Sequence, residues 1–273
     1  MSREITVLLI EDDFYARSWM EMLVRRDWRT RAVGQVSNPL RLPEFLQGLQ
    51  KFSQKLDAAF IDTDIPNNQH WLKQTLQDLQ AFAPKIRFIL TGVMPNPDVA
   101  GLVMQPEFAP NFGGYILKDE ICYAQTWAVL LAMRGKVAVT PGVVSLFDQE
   151  RPLPPGALML DGRNAFANFT VREAEAARLA FIFSMERRDL ADELGISEDY
   201  TFGLVSALYE KMGLNQVLNG EWDAKDYFGN HPTVLAHLEQ TLEQLRRTRS
   251  KKAQDKETLA FHFLTYPEIT EIN

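Results

Sequence analysis

The sequence predicts a doubly wound, parallel-sheet α/β domain followed by an all-α half. Three observations carry that expectation. Four short apolar runs, at 7–10, 57–61, 86–90 and 113–117, are separated by segments of helical period. Such alternation is the pattern of buried parallel strands joined by crossover helices. Each run also ends in a polar group: Glu11-Asp12-Asp13, Asp62, Thr91 and Lys118 in turn. In an open parallel sheet those C-terminal ends lie along one edge, where ligands bind. Past residue 168 the strand pattern gives way to helices broken at Gly195-Ile196-Ser197.

The first strand, Val7-Leu8-Leu9-Ile10, leads into a helix over 14–26 with Trp19, Met20 and Leu23 on one face. A second amphipathic helix covers 42–52, ahead of the strand at 57–61. Leu72, Leu76 and Leu79 put a helix over 71–82 at the 3.6-residue period. Between Thr91 and Lys118, the residues Pro95, Pro97, Pro106 and Pro110 predict an irregular segment. The apolar stretch 124–133 reads as the last helix of the domain. One of its faces packs on the sheet, and surplus apolar surface is a candidate homodimer face. Thr140-Pro141-Gly142, Pro152-Leu153-Pro154-Pro155-Gly156 and Asp161-Gly162 are turn signals that make 135–168 an interdomain linker. The expected domains are therefore 1–134, a linker at 135–168, a helical module at 169–214 and an extension at 215–273.

Carboxylates, a hydroxyl and an ammonium on one sheet edge suit phosphoryl chemistry. A hard cation such as Mg2+ takes carboxylate oxygens, and Glu11, Asp12 and Asp62 are the ligands on offer. With charge neutralised, the Asp62 carboxylate can attack a phosphoryl group. Taken singly, each group is an ordinary strand-end residue. Taken in order, acid pair, lone Asp, Thr and Lys, the set resembles the receiver domain of two-component response regulators. The resemblance implies a flavodoxin-like fold, Mg2+ as cofactor and Asp62 as phosphoacceptor for a histidine kinase. It also implies that Lys118 pairs with a phosphoryl oxygen, and that Thr91 and Tyr115 form the switch that senses the group. The chemistry would stop at phosphoryl acceptance and self-dephosphorylation, so the chain is not expected to be an enzyme in any further sense. Asp64 departs from the neutral or apolar residue common two positions after the phosphoacceptor. Its charge either strengthens metal binding or opposes phosphoryl transfer. The segment 92–112 is also longer than the family leads one to expect.

The second half opens on Phe169-Thr170-Val171-Arg172-Glu173, where Thr170 and Glu173 form a capping box. Helices over 185–194 and 198–212 flank a Gly-containing turn, the helix-turn-helix layout. Thr170-x-Arg172-Glu173, Leu190-Ala191-x-x-Leu194-Gly195-Ile196-Ser197 and Lys211-Met212-Gly213-Leu214 resemble the LuxR/GerE-type module of NarL-class regulators. That resemblance implies DNA binding and control of transcription, with the third helix in the major groove. The residues there differ from the family's Thr-Val-Lys-x-His: the chain has Tyr200-Thr201-Phe202-Gly203-Leu204. Gly203 weakens the helix by about 1 kcal/mol relative to Ala. Residues 165–214 hold five basic side chains and nine acidic ones, a net of −4. Phosphate contacts supply most non-specific DNA affinity, and this balance serves them poorly. Two readings stay open. Phe202 and Leu204 are core residues in a shifted register, or with Tyr200 they form an exposed apolar patch that suits a protein partner.

The tail predicts a long helix over 233–254, with Leu235, Leu238, Leu242 and Leu245 as an a/d seam of about two heptads. The seam packs on the chain's own helix-turn-helix or on a second copy. Arg246, Arg247, Arg249, Lys251 and Lys252 concentrate basic charge beyond it. They are a solvated cationic helix end, a relocated nucleic-acid contact or a docking site for an acidic partner. Residues 259–264 and 266–272 are apolar enough to pack, the latter as a possible strand.

Composition bounds the rest. The length of 273 residues suggests two domains. The single cysteine, Cys122, excludes a disulfide framework within one chain and fits a reducing cytoplasm. No membrane span or signal peptide is expected, since no apolar run reaches about 18 residues. A net charge of −7 argues against a chain-wide polyanion-binding surface. His70, His231, His237 and His262 do not stand at metal-ligand spacing with Cys122. Two functions follow. One is a phosphorylation-controlled, DNA-binding transcriptional regulator. The other is a phosphorylation-gated adaptor whose helix-turn-helix grips a protein.

Overall fold

A computed structural model of the chain describes residues 4–65, 69–147, 152–162, 169–221, 235–236, 239–240, 242–243 and 252–272; Gln69 and residues 252–255 are described by backbone alone. The chain divides into two compact units, Met1–Gly162 with Pro267–Asn273, and Arg163–Tyr266.

The first unit alternates strands and helices: β1 (Ile5–Ile10), α1 (Phe14–Arg26), β2 (Thr30–Val36), α2 (Leu42–Lys51), β3 (Ala58–Asp62), α3 (Gln69–Phe82) and β4 (Arg87–Gly92). Then come α4 (Pro97–Val103), β5 (Phe112–Leu117), α5 (Ile121–Ala132), β6 (Ala138–Val139), α6 (Pro141–Val144), β7 (Leu158–Asp161) and, from the chain's end, β8 (Glu268–Glu271). The sheet order is β2-β1-β3-β4-β5-β6-β7-β8. Every neighbouring pair is parallel except β7 with β8. The first five strands thus have the doubly wound order 2-1-3-4-5 of flavodoxin-like folds.

Burial explains which strands the sequence announces. Residues 7–10, all of β3, 88–92 and all of β5 are buried, because helices cover both faces. One face packs Leu8, Ile10, Ile61, Leu90 and Val139 with Leu46, Leu76, Leu102 and Val143 of the helices; α1 and α5 pack on the sheet and on each other. The proline-rich stretch after Thr91 is more ordered than its composition suggests. Asn96 accepts hydrogen bonds from the Asp98 and Val99 amides, and Pro97 fills the first helical position of α4.

The expected linker at 135–168 is corrected by the sheet. Residues 138–139 and 158–161 are strands, and 135–162 belong to the first unit; residues 163–168 lie outside the described residues. The turn signals are real, but they punctuate elements too short to show a period. Pro141 opens α6, and Gly156 makes a turn at φ +74°. Strand β6 reaches β5 at Gly114, where a β-carbon would stand 2.3 Å from the Ala138 carbonyl oxygen. The extension also removes the expected dimer face. Nine of the twelve residues of α5 are buried, because it packs against α1, β4, β5, β6 and β7 together. Its surplus apolar surface is covered within the unit.

The second unit contains α7 (Val171–Ala177), a π-helical stretch (Arg178–Ile182), α8 (Arg187–Leu194), α9 (Glu198–Lys211), α10 (Leu214–Asn219) and α11 (Lys252–Leu264). The capping box of Thr170 and Glu173 is formed. Gly195 ends α8 in the left-handed region at φ 62°, and the Ser197 side chain accepts from the Tyr200 amide to start α9. Lys211 at the end of α9 pairs with Glu173 at 2.7 Å, and the Arg172 guanidinium donates to the Leu194 carbonyl at 2.9 Å. Residues 259–264 are helical, packed on the π-helical stretch and α10, while 268–271 form the strand. Of the leucine seam, Leu238 and Leu245 lie outside the described residues, as do Arg246, Arg247, Arg249 and Lys251.

Gly114→Val should force β5 and β6 apart and lower unfolding free energy by about 2–3 kcal/mol. Urea denaturation checks the cost, and amide exchange should rise at 138–139 and 268–271. Wild-type stability in this variant would remove Gly114 from the contact that seats the extension.

Candidate functional site

The four polar strand ends meet as the parallel sheet requires. Asp62 ends β3, Thr91 lies in β4 opposite it in register, Glu11 and Asp12 follow β1, and Lys118 follows β5. Lys118 Nζ stands 3.0 Å from Asp62 Oδ1 and 2.9 Å from Glu11 Oε2. Glu11 is fully buried and Asp62 nearly so. The structure thus brings together Glu11, Asp12, Asp62, Thr91 and Lys118.

Local geometry holds these groups in place. Asp13 caps α1 by accepting from the Ala16 amide, which turns the chain sharply after Asp12. The Arg17 guanidinium braces that turn, donating to the carbonyls of Glu11 at 2.6 Å and Asp12 at 3.1 Å and to Gln35 Oε1 at 3.1 Å. The Asp64 amide donates to Asp62 Oδ1 at 3.0 Å. The Lys118 amide donates to the Gly92 carbonyl at 2.8 Å, and the Leu117 amide to Thr140 Oγ1 at 3.2 Å. Thr63, Arg17 and Thr140 were not singled out from the sequence. Their roles depend on partners 28, 6 and 23 residues away, so no local spacing marks them.

The electrostatics follow from burial of carboxylates beside one ammonium. Burial and the neighbouring Asp62 charge push the Glu11 carboxyl up to about 7, against opposing contacts from Lys118. Burial also raises Asp62, although the Asp64 amide and Lys118 favour its charged form. Burial alone would lower Lys118, but the Glu11 hydrogen bond and the Asp62 charge outweigh it and raise the group. The site therefore holds more negative charge than its single ammonium balances.

A cation fits that deficit. Glu11, Asp12 and Asp62 offer oxygens that all lie within 4.8 Å of one another. Asp62 Oδ2 and Thr91 Oγ1 are buried without a hydrogen-bond partner, so an acceptor and a hydroxyl stand ready for an incoming group. Asp64 lies outside that triad. Its carboxylate accepts from the Val93 amide at 2.5 Å and stands 3.9 Å from Lys118 Nζ. Tyr115 is fully buried, with its hydroxyl 3.4 Å from both Thr63 Oγ1 and the Met94 carbonyl. Thr63 Oγ1 also donates to the Thr91 carbonyl at 3.0 Å. A β-carbon on Gly92 would stand 2.6 Å from Thr63 Oγ1, so this approach needs glycine.

In the second unit, Tyr200 is 59% exposed and Phe202 50%, which excludes a core role for both; Leu204 is half-buried. The Arg187 guanidinium lies 3.6 Å from the Phe202 ring centroid. Glu198, Asp199, Ser206 and Glu210 are exposed on the same helix, and Gly203 faces open space. The helix thus shows carboxylates at both ends and aromatic rings near its start. Of the basic tail, only the backbone of Lys252 is described.

No family model matches the sequence, and no curated protein matches it. Solved structures do overlap. The RcsB response regulator of Salmonella typhimurium is 15% identical, covering 77% of this chain and 93% of its own, at a TM-score of 0.42. ChrA, the response regulator of a heme-sensing two-component system, is 20% identical, covering 77% and 90%, at 0.37. The isolated receiver domain of RcsB from Salmonella enterica serovar Typhimurium, with the phosphomimetic BeF3−, is 15% identical, covering 54% and 100%, at 0.42. The fold assignment rests on the strand order and on the helix-turn-helix itself. Among the described residues no helix is long and apolar enough to cross a membrane.

A carboxyl whose pKa is higher in the folded than the unfolded state binds its proton more tightly when folded. For Glu11 the resulting stability is complete below pH 4.5 and is lost as pH rises through about 7. Metal-free protein should therefore melt at lower temperature at pH 8 than Asp62→Asn, by several degrees, with the gap closing toward pH 5. Mg2+ should raise the wild-type melting temperature at pH 8 and have little effect on the variant. Calorimetry across pH, with and without Mg2+, is the measurement; equal melting curves would mean the carboxylates are already balanced.

Proposed function

We propose that the chain is a response regulator in which Asp62 takes a phosphoryl group from a histidine kinase and the helix-turn-helix unit carries the output to transcription. The observation that supports this best is Asp62 itself. It is a buried strand-end carboxylate with one oxygen bonded and the other unpartnered, beside an ammonium and an orphaned hydroxyl.

Each residue then has a task. Lys118 and the Asp64 amide hold Oδ1, which leaves Oδ2 to attack phosphorus. As the oxygen–phosphorus bond forms, the bond from phosphorus to the donor imidazole breaks, and that ring, already carrying a proton on its other nitrogen, leaves as the neutral base. Glu11, Asp12 and Asp62 would hold Mg2+, which when bound would supply charge neutralisation for the transfer. Lys118 is free to move to one phosphoryl oxygen and Thr91 to donate to another. The Thr91 carbonyl and the Tyr115 hydroxyl both touch Thr63 Oγ1, so a shift at Thr91 reaches Tyr115 through Thr63. Asp64 is pinned to the Val93 amide at the mouth of the site, where it adds negative charge and restrains hydrolysis and transfer alike.

A second reading of the output has its own observation. The exposed side of α9 presents Glu198, Asp199 and Glu210 with Tyr200 and Phe202, and Lys211 is paired with Glu173. That surface suits a protein contact better than a phosphate backbone. Under this reading the chain is a phosphorylation-gated adaptor.

Intact-mass spectrometry with a small phosphodonor and Mg2+ should show one phosphoryl group on the wild type and none on Asp62→Asn. Lys118→Ala should slow the transfer roughly 10²-fold. Uptake by Asp62→Asn at the wild-type rate would move the acceptor elsewhere. For the output, Tyr200→Ser/Phe202→Ser should abolish transcriptional response while leaving affinity for genomic DNA fragments, measured over a salt series, unchanged. Loss of DNA affinity in that variant would return α9 to the groove and sink the adaptor reading.

A further inference from the structure

A cavity of about 480 Å³ opens in the first unit beside the edge strand β2, bordered by the end of that strand, the turn that follows it and α2. The sequence builds it locally. Gly34 carries no side chain, and a β-carbon there would stand 2.6 Å from Phe45 Cε2, so the Phe45 ring packs directly on the strand. Asn38 then turns the chain. Its side chain accepts from the Leu40 amide at 3.0 Å and its carbonyl from the Arg41 amide at 2.9 Å, which sets Arg41 at the cavity. Helix α2 runs on along the opening to Phe52, which is 72% exposed, and Ser53 ends it in the left-handed region at φ 51°. Gly48 also borders the cavity, and a β-carbon there would meet nothing within 4 Å.

The lining combines apolar surface with two unused charges. Phe45, Leu49 and Phe52 supply the apolar part. Arg41 and Glu44 border the same space, and among the described residues neither side chain has a hydrogen bond or an ion pair, with each other or with any third group. Standing three residues apart, they lie on one side of the helix start, within reach of one small ligand. A guanidinium grips a carboxylate with two hydrogen bonds, and a carboxylate takes an ammonium. An apolar acid would leave Glu44 unanswered, and an apolar amine would leave Arg41 so. A molecule with a carboxylate and an ammonium on one carbon, and an apolar body beyond, answers both. The volume falls within the usual range for small-molecule sites, about 300–1,000 Å³.

We propose that this cavity binds a free amino acid with a large apolar side chain, and that its occupancy is felt at the acidic site. Arg41 takes the carboxylate, Glu44 the ammonium, and Phe45, Leu49 and Phe52 the side chain. Two further residues of the lining, Gln35 and Val36, connect the cavity to the acidic site. The Val36 carbonyl accepts from the Glu11 amide at 3.1 Å, and Gln35 Oε1 accepts from Arg17 Nε at 3.1 Å. Arg17 is the same guanidinium that holds the Glu11 and Asp12 carbonyls. A ligand that competes for Gln35, or draws the end of β2 toward α2, therefore acts on the turn that carries two of the three candidate cation ligands. The coupling rests on the reading of Glu11, Asp12 and Asp62 as a cation site; the binding does not.

The test is an NMR titration of the isotope-labelled full chain with L-tryptophan, L-phenylalanine and L-leucine. Tryptamine and indole-3-propionate serve as analogues that lack the carboxylate or the ammonium. At least one amino acid should shift the amides of Ser37, Gly48 and Phe52 with a dissociation constant on the order of 0.1–1 mM, and the analogues should bind roughly tenfold more weakly. Arg41→Gln, Glu44→Gln and Gly48→Leu should each weaken binding by about tenfold or more while melting at the wild-type temperature, since none of them removes a contact of the fold. No shift with any of the three amino acids overturns the site, as does equal binding of either analogue. Cavity shifts that follow protein concentration instead of ligand would give the space to a second copy of the chain and overturn it too. Mg2+ affinity, read at the amides of Asp12, Asp13 and Thr63, should change about threefold or more when the cavity is saturated, and Mg2+ should change the amino-acid affinity by the same factor. Equal Mg2+ affinity in both states overturns the coupling. Absence of Mg2+ binding in either state would instead sink the cation reading, and the coupling with it.

Discussion

Among the described residues, Lys118 is the one cation paired with the two carboxylates, Glu11 and Asp62, that the sheet has taken out of water. Burying Glu11 and Asp62 side by side is costly unless charge is balanced, and one ammonium balances one of them. The remainder is carried by protonation of Glu11 near neutral pH or by a bound cation. Much of the surrounding structure serves to hold this unbalanced group together. Arg17 braces the Glu11-Asp12 turn through carbonyls rather than carboxylates, so it fixes geometry without filling the charge deficit. Thr140 and the Gly92 carbonyl fix the backbone on either side of the Leu117–Lys118 bond. The deficit leaves the position of Lys118 dependent on whatever charge enters the site.

The sheet extension changes what the first unit can present. With β6 and β7 added, α5 loses its open side and becomes a core helix. The same strands turn the second unit into an insertion between β7 and β8. Bringing the two ends of a segment longer than 100 residues to one strand pair costs loop-closure entropy, although that cost grows only slowly with length. The pairing of Leu160 with Ile269, both buried, helps to offset it.

How much of this was legible follows from burial. Strands β1, β3, β4 and β5 are apolar on both faces, so each reads as an apolar run, and the polar residue that ends it marks the site. The acidic site was therefore visible almost entire. Strand β2 was missed because it lies at the sheet edge, where Arg31 faces solvent and Gly34 lies under the Phe45 ring. Strands β6 and β7 are two and four residues long and sit among prolines and glycines, so composition alone makes them a linker. Residues 259–264 were readable only as apolar; whether such a run forms helix or strand is decided by what it packs on, here the π-helical stretch and α10. Thr63 and Thr140 act through partners brought near by topology, which no local pattern encodes.

The register of α9 bears on function, and the exposure of Tyr200 and Phe202 resolves it. Phe202 is half exposed, so its ring lies at the surface, where the Arg187 guanidinium sits 3.6 Å from its centroid. That contact also engages a cation that would otherwise have stood near the start of the helix. The residues exposed on α9 include Glu198, Asp199 and Glu210, with Tyr200, Phe202, Gly203 and Ser206 between. A helix that reads DNA must bring cations toward phosphates before base edges can matter. This one brings carboxylates to both ends of the surface that would enter the groove. Control of transcription through direct DNA contact would therefore require phosphate contacts from elsewhere in the chain. The basic run at 246–252 is the part of the sequence with the composition to make them.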